Sequence, residues 1–297
     1  MSKQEDKDFD KLSQQFQDIG DQLLDCTTLT NCSGNLPSTY AIQGLIDSLK
    51  HLLFPRFYNQ EVEREAVLKL SVPRAVAKVF IELSQEIQKA YAYAEEPSSN
   101  CEELKLKAEK DTLELLSELP QIRKELECDL EEVMSHDPAA KGTEEVLLAY
   151  PGFEAITVHR LAHHLHKKEI PLLPRMMSEW VHRRTGIDIH PGAKIAPYCS
   201  IDHGTGLIIG ETTIIDSHVN LFHNVTLGAR SVTPNFRGCK RHPTIGSHVI
   251  IYPGATILGD IQVGNNSIIG GNVFLLDSCP DNSKIYAKPP EIIMRNK

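Results

Sequence analysis

Ile187-Asp188-Ile189-His190-Pro191-Gly192-Ala193-Lys194-Ile195-Ala196-Pro197-Tyr198-Cys199-Ser200-Ile201-Asp202-His203-Gly204-Thr205-Gly206 reads in steps of six. Ile189, Ile195 and Ile201 share one register, with small or polar residues between them. After a two-residue shift the register resumes at Ile209, Ile215, Leu221 and Leu227. It returns at Ile245, Ile251, Ile257, Val263, Ile269 and Leu275. Thirteen aliphatic positions thus follow one period, with one shift and one break. Such a repeat marks a solenoid whose short strands each bury one aliphatic side chain in a shared central column. The 94 residues from 187 to 280, at about 18 per three-strand coil, predict roughly five coils.

Upstream the period is helical. Pro37-Ser38-Thr39 offers a start, and Ile42, Leu45, Ile46, Leu49, Leu52 and Leu53 follow at 3–4 spacing up to Pro55. Ser71-Val72-Pro73 reads as a restart with proline in the first turn, leading a stripe of Val76, Val79, Phe80, Leu83 and Ile87. Residues 94–100 read as a loop. Leu113, Leu116, Leu119, Ile122, Leu126, Leu130 and Val133 predict further helices around Pro120, broken at Ser135-His136-Asp137-Pro138-Ala139. Two more helices are expected over Phe153–Lys168 and Pro171–Thr185, with Gly186 as C-cap. The expected class is therefore α+β. It comprises a polar, partly ordered arm at 1–36 with a short helix over Phe9–Leu24, and a helical domain at 37–186. A parallel β-helix at 187–280 and a tail at 281–297 follow.

Charge is uneven. The chain carries −9 overall, with 16 Lys/Arg against 29 Asp/Glu in residues 1–150 and 15 against 11 thereafter. The acidic first half argues against a nucleic-acid binder. The N-terminus has no apolar leader and no run of about 18 apolar residues occurs, so a cytoplasmic protein with no membrane span is expected. Seven cysteines, at 26, 32, 101, 128, 199, 239 and 279, form no CxxC pair and read as free thiols. His159 and His163 are four apart on an expected helix, the spacing of two metal ligands, but no HExxH motif completes them and no metal site is expected. The break at 228–244 holds four basic residues, and a polar insertion on a rigid scaffold is a natural place for binding groups.

Asp188-Ile189-His190-Pro191, Asp202-His203-Gly204-Thr205-Gly206, Val225-Thr226-Leu227-Gly228 and Arg241-His242-Pro243 occur in that order after Asp137-Pro138-Ala139 and a helical region. The set resembles the serine O-acetyltransferases, most closely over about 135–275. The resemblance implies a left-handed β-helix, transfer of acetyl from acetyl-CoA to L-serine, and inhibition by L-cysteine. It also implies homotrimers, or dimers of trimers joined by the helical domains. It makes His203 the general base, Asp188 its orienting partner, and Arg241 and His242 the grip on the serine carboxylate, with Asp137 and Asp202 near the ammonium. His242 is also placed near the reacting hydroxyl or oxyanion. Acetyl-CoA is placed along Gly228, Ala229, Pro253, Gly254, Gly270 and Gly271; Ala229 stands where the family commonly has a second glycine. The chemistry is consistent with this: a serine hydroxyl needs a base to attack a thioester, and histidine, with an ordinary pKa of about 6.5, suits that task.

Other readings of the same residues are a hexapeptide acetyltransferase for a sugar, homoserine or another hydroxyl acceptor, and a purely structural protein. A γ-type carbonic anhydrase is a further one, with zinc on His218, His223 and either His203 or His248. Many members of the resembled family end in an isoleucine that enters cysteine synthase. This chain ends Met294-Arg295-Asn296-Lys297, so a weak or absent cysteine synthase complex is expected.

Overall fold

The computed structural model describes residues 36–57, 65–95, 100–231, 238–288 and 294. The helix expected over Phe9–Leu24 and the centre of the 228–244 loop lie outside them. Among the described residues six helices precede the coils: α1 (Thr39–Leu53), α2 (Glu65–Ala94), α3 (Cys101–His136), α4 (Thr143–Ala149), α5 (Pro151–Lys167) and α6 (Leu173–Thr185). Ser38 caps α1 by accepting from the Ala41 N–H, and Asn100 caps α3 by accepting from Glu102. Gly186 ends α6 at φ +70°, a conformation that costs glycine little.

Two proline expectations are corrected. Pro73 starts nothing: α2 begins at Glu65 and runs through it. Pro120 lies inside one continuous helix rather than between two. Both prolines are exposed, so water can serve the carbonyl that each leaves unpaired in the preceding turn. The stripe on α3 is also shifted. Leu104, Ala108, Thr112, Leu115, Leu119, Ile122, Leu126, Leu130 and Val133 are buried, whereas Leu113 and, on α2, Val76 are exposed. The short α4 was not anticipated, and its Gly142 N-cap makes no side-chain cap.

From Asp188 the chain winds into a three-sided prism of parallel strands. The first face stacks β1 (Asp188–Ile189), β4 (Ile208–Ile209), β7 (Thr226–Gly228), β10 (Thr256–Leu258) and β13 (Phe274–Leu275). The second stacks β2 (Lys194–Ile195), β5 (Ile214–Ile215), β8 (Thr244–Ile245) and β11 (Gln262–Val263). The third stacks β3 (Cys199–Ile201), β6 (Val219–Leu221), β9 (Ile250–Ile251), β12 (Ile268–Ile269) and β14 (Lys284–Ile285). First-face partners run Asp188, Ile208, Thr226, Thr256 and Phe274, so successive coils take 20, 18, 30 and 18 residues. The 20 absorbs the two-residue shift and the 30 absorbs the loop.

Eleven of the thirteen register positions are buried; Ile195 in the first coil and Leu275 in the last are partly so. Each face also buries the residue two before its knob, such as Ile187, Ala193, Cys199, Leu207, Val219, Val225, Val249, Ala255 and Ile261. Two of these second inward positions are polar, Thr213 and Ser267, both fully buried; other polar residues lie on the outer side of the strands or at the three edges.

Helices and coils are tied by buried polar groups. Arg160 on α5 grips Asp129 on α3 through two hydrogen bonds of 2.7 and 2.8 Å. It also donates to Glu125 and to the Ile195 and Ala196 carbonyls at 3.2 Å, while Asp129 accepts from the Cys199 N–H. A second tie joins Glu132 on α3 to His218 at 2.8 Å and to the Asn220 amide. Gly152 in α5 lies so close that a Cβ there would sit 2.1 Å from the Ile201 carbonyl oxygen. Arg160→Met removes one partner of the buried pair and leaves Asp129 charged and buried. Urea unfolding is expected to show a loss of about 3–5 kcal/mol; a loss below about 1 kcal/mol would show that this pair does not anchor the coils.

Candidate active site

The sequence-predicted residues collect on two edges of the prism. His203 follows β3 at the edge between the third and first faces, at φ +56°. Its side chain is 72% exposed, and its Nε2 lies 3.7 Å from Asp202 Oδ1. His223 sits one coil further along the same edge, its ring 5.6 Å from that of His203. Asp188 begins the first strand beyond this edge, and the space beside Gly204 is filled by Ile187, so the two predicted partners belong to one corner. Among the described residues no hydrogen bond or ion pair joins Asp188 to His203, whose carboxylate contact is with Asp202.

The helical region contributes to the same corner. Asp137, the C-cap of α3, accepts from the Tyr150 hydroxyl at 2.7 Å and from the Ala139 N–H at 2.8 Å. The Tyr150 hydroxyl, then the Ala139 N–H, hold its carboxyl below the usual carboxylate range, and His203 is near enough to add to that. Tyr150 is pushed up to about 12, first by its bond to Asp137, and Asp202 acts in the same direction. Asp137, Tyr150, Asp202 and His203 therefore share one electrostatic neighbourhood. Tyr150 was not foreseen, because an aromatic residue before Pro151 reads only as a helix approach.

The second edge, between the first and second faces, carries Arg241 and His242. Thr212 holds them. Its hydroxyl accepts from the Arg241 and His242 N–H groups at 2.9 and 3.1 Å. Its own N–H donates to His242 Nδ1 at 3.1 Å. A backbone N–H donating to Nδ1 makes that nitrogen an acceptor, so neutral His242 carries its proton on Nε2. Burial, then the Arg241 charge, lower its pKa to about 4. The ring lies on Gly210, where a Cβ would meet it at 2.0 Å, so only glycine fits. Arg241 bonds Glu211, and Lys240 donates to the Thr212 carbonyl at 2.8 Å. The end of the 228–244 loop is thus fixed onto the coil below it. Gly210, Glu211, Thr212 and Lys240 were not foreseen, since Gly and Thr in hexapeptide turns look like ordinary turn residues.

The residues predicted for the acyl carrier divide between the same edges. Pro253, Gly254, Gly270 and Gly271 continue the edge of His203, beside a stacked Phe222–Tyr252 pair at 5.3 Å. Gly228 and Ala229 stand at the start of the loop, on the edge of His242. A Cβ at Gly271 would sit 3.1 Å from the Pro253 carbonyl oxygen, so the main chain there is close-set and bare.

The metal readings find no such assembly. His163 Nδ1 donates to the Pro191 carbonyl, and His159 is buried and titrates well below the ordinary value through desolvation. His218 stacks between Tyr198 and His248 on the third edge and bonds Glu132, away from His223. Among the described residues no three metal-donor side chains converge.

Known proteins resemble the chain in sequence and in fold. A family model described as "Serine acetyltransferase, N-terminal" matches residues 60–158, and one described as "Bacterial transferase hexapeptide (six repeats)" matches 242–277. A serine acetyltransferase encoded on a plasmid of Synechococcus elongatus is 38% identical over 259 residues, covering 84% of this chain and 81% of its own. The crystal structure of native serine acetyltransferase 1 from Entamoeba histolytica superposes with a TM-score of 0.73 at 32% identity, covering 88% of this chain and 91% of that one. The same enzyme in complex with L-cysteine gives 0.72 at 33% identity, covering 86% and 88%.

His190, lowered to about 4 by desolvation, and His242 both titrate below 6.5 in the folded chain. The unfolded chain therefore takes up protons first, and these two groups make stability fall as pH drops from about 6.5 towards 4. Urea midpoints across that range are expected to decline, less steeply in His242→Asn. An identical slope in the variant would contradict the assignment for His242.

Proposed function

The chain belongs to the serine acetyltransferase family, and on that premise we propose how its residues carry out the reaction. It moves an acetyl group from acetyl-CoA to the hydroxyl of L-serine, giving O-acetyl-L-serine and CoA. His203 is the general base. Its exposed imidazole takes the hydroxyl proton as the serine oxygen attacks the thioester carbonyl, then returns a proton to the departing thiolate. Asp202 and Asp188 stabilise the imidazolium that forms, as a carboxylate does for a catalytic histidine. Asp137, kept ionised by Tyr150, and Asp202 receive the substrate ammonium.

His242 has a different task. It is neutral, its Nδ1 is engaged by Thr212 and its proton is on Nε2, so it serves as a donor, to the developing oxyanion or the substrate carboxylate. Arg241 takes the carboxylate by paired hydrogen bonds, exchanging its present contact with Glu211. The pantetheine arm runs along the bare main chain at Pro253, Gly254, Gly270 and Gly271 on one side and Gly228 and Ala229 on the other.

The observation that carries most is the separation of His203 from His242. They occupy different edges of one prism, so one copy presents them to different surroundings. A trimer in which the His203 edge of one chain faces the His242 edge of the next completes the site. On this reading residues 187–280 form the catalytic domain, and residues 37–186 supply Asp137 and the surface through which trimers would pair. L-Cysteine, which has the ammonium and carboxylate of serine, is taken as an inhibitor at the same groups, supported by the Entamoeba enzyme with L-cysteine bound.

Thiol release from acetyl-CoA tests this with L-serine, homoserine and a sugar as acceptors. L-Serine is expected to be the preferred acceptor, L-cysteine to compete with it, and His203→Ala to lower kcat by about 10²–10⁴-fold. A higher kcat/KM for another acceptor, or unchanged kcat in His203→Ala, would overturn the assignment.

A further inference from the structure

We infer that His223 is a positioning residue for His203; this rests on reading His203 as the base. The register pairs Ile201 with Leu221, so His203 and His223, each two residues further on, stand over one another in successive coils. Their rings meet edge to face, 5.6 Å between centroids and 70° between planes. This is a favoured arrangement for two aromatic rings.

His203 needs such a support. Its side chain stands largely in solvent, and its contact with Asp202 is, at 3.7 Å, too long for a hydrogen bond. A base on an exposed turn samples several rotamers, and only one aims the ring nitrogen at substrate. His223 is itself well held. Its carbonyl accepts from the Gly254 N–H at 3.2 Å, and its residue lies partly buried between successive coils. Its Nδ1 is buried and has no hydrogen-bond partner among the described residues. An orphaned ring nitrogen is a cost to folding that phenylalanine would avoid. The contact that His223 makes with His203 is therefore one of ring edge against ring face, with Nδ1 turned to no partner.

Steady-state kinetics of two variants decide this. His223→Leu keeps similar apolar volume without a ring; His223→Phe keeps the ring without titration. The expected result is a fall in kcat of about tenfold in His223→Leu, with KM for serine and acetyl-CoA within about twofold, and recovery of most of that loss in His223→Phe. Molecular mass in solution should match the parent for both, and neither variant should melt below it. Wild-type kcat in His223→Leu would overturn the inference. So would an equal loss in both variants, which would assign the effect to the imidazole nitrogens. His203→Ala, run alongside, separates the two claims: if that variant retains full activity the base assignment itself fails, whatever His223 does.

Discussion

The structure depends on one packing constraint: every strand of the prism must turn an aliphatic side chain into a column only wide enough for such groups. Ile209, Leu227, Ile257 and their equivalents in all but the end coils are fully or almost fully buried, and each is flanked by a second inward residue. The inward positions are almost all apolar, Thr213 and Ser267 excepted, so the functional side chains stand on the outside of the coils and at their edges. Dissolving the column would therefore scatter the functional groups as well as unfold the coils. It also explains why insertions occur where they do. Two extra residues before β4 and twelve more before β8 both enter at edges, where a change of length leaves the neighbouring strands in register.

The helices add a second constraint. Their long stripes bury one another, but Arg160, Asp129, Glu132 and Gly152 fasten them to the first two coils. The same fastening sets Asp137 and Tyr150 beside Asp202 and His203. The helical region therefore does more than offer a surface to other copies, since it contributes a carboxylate to the His203 corner. Burying Asp129 and Arg160 carries a desolvation penalty, offset by a two-pronged contact and further donors on both groups.

Much of this was legible in the sequence for physical reasons. An inward position tolerates little besides aliphatic side chains, so the six-residue register reads directly as the column. The shift and the break in that register mark the two edges that hold His203 and Arg241-His242. The helix interruptions did not read so well. Pro73 and Pro120 look like boundaries, yet an exposed proline in a helix fixed by tertiary packing costs less than the contacts it would break. Leu113 is exposed while Thr112 and Leu115 are buried: with a polar threonine on the inward stripe, the pattern of leucines alone points to the wrong face. Thr212, Gly210, Tyr150 and His223 act through contacts that only the stacking of coils or the docking of helices creates. Nothing in their residue types announces that.

The central claim is that one catalytic centre needs His203 from one copy and His242 from another. Coexpression of equal amounts of His203→Ala and His242→Ala chains tests it directly. Each variant alone is expected to be nearly inactive. Random mixing in trimers should leave about one site in four with both histidines intact, and so restore about a quarter of wild-type thiol release. Activity no higher than the mean of the two parents, in mixed trimers confirmed by mass, would contradict a shared site and place both histidines in the service of a single chain.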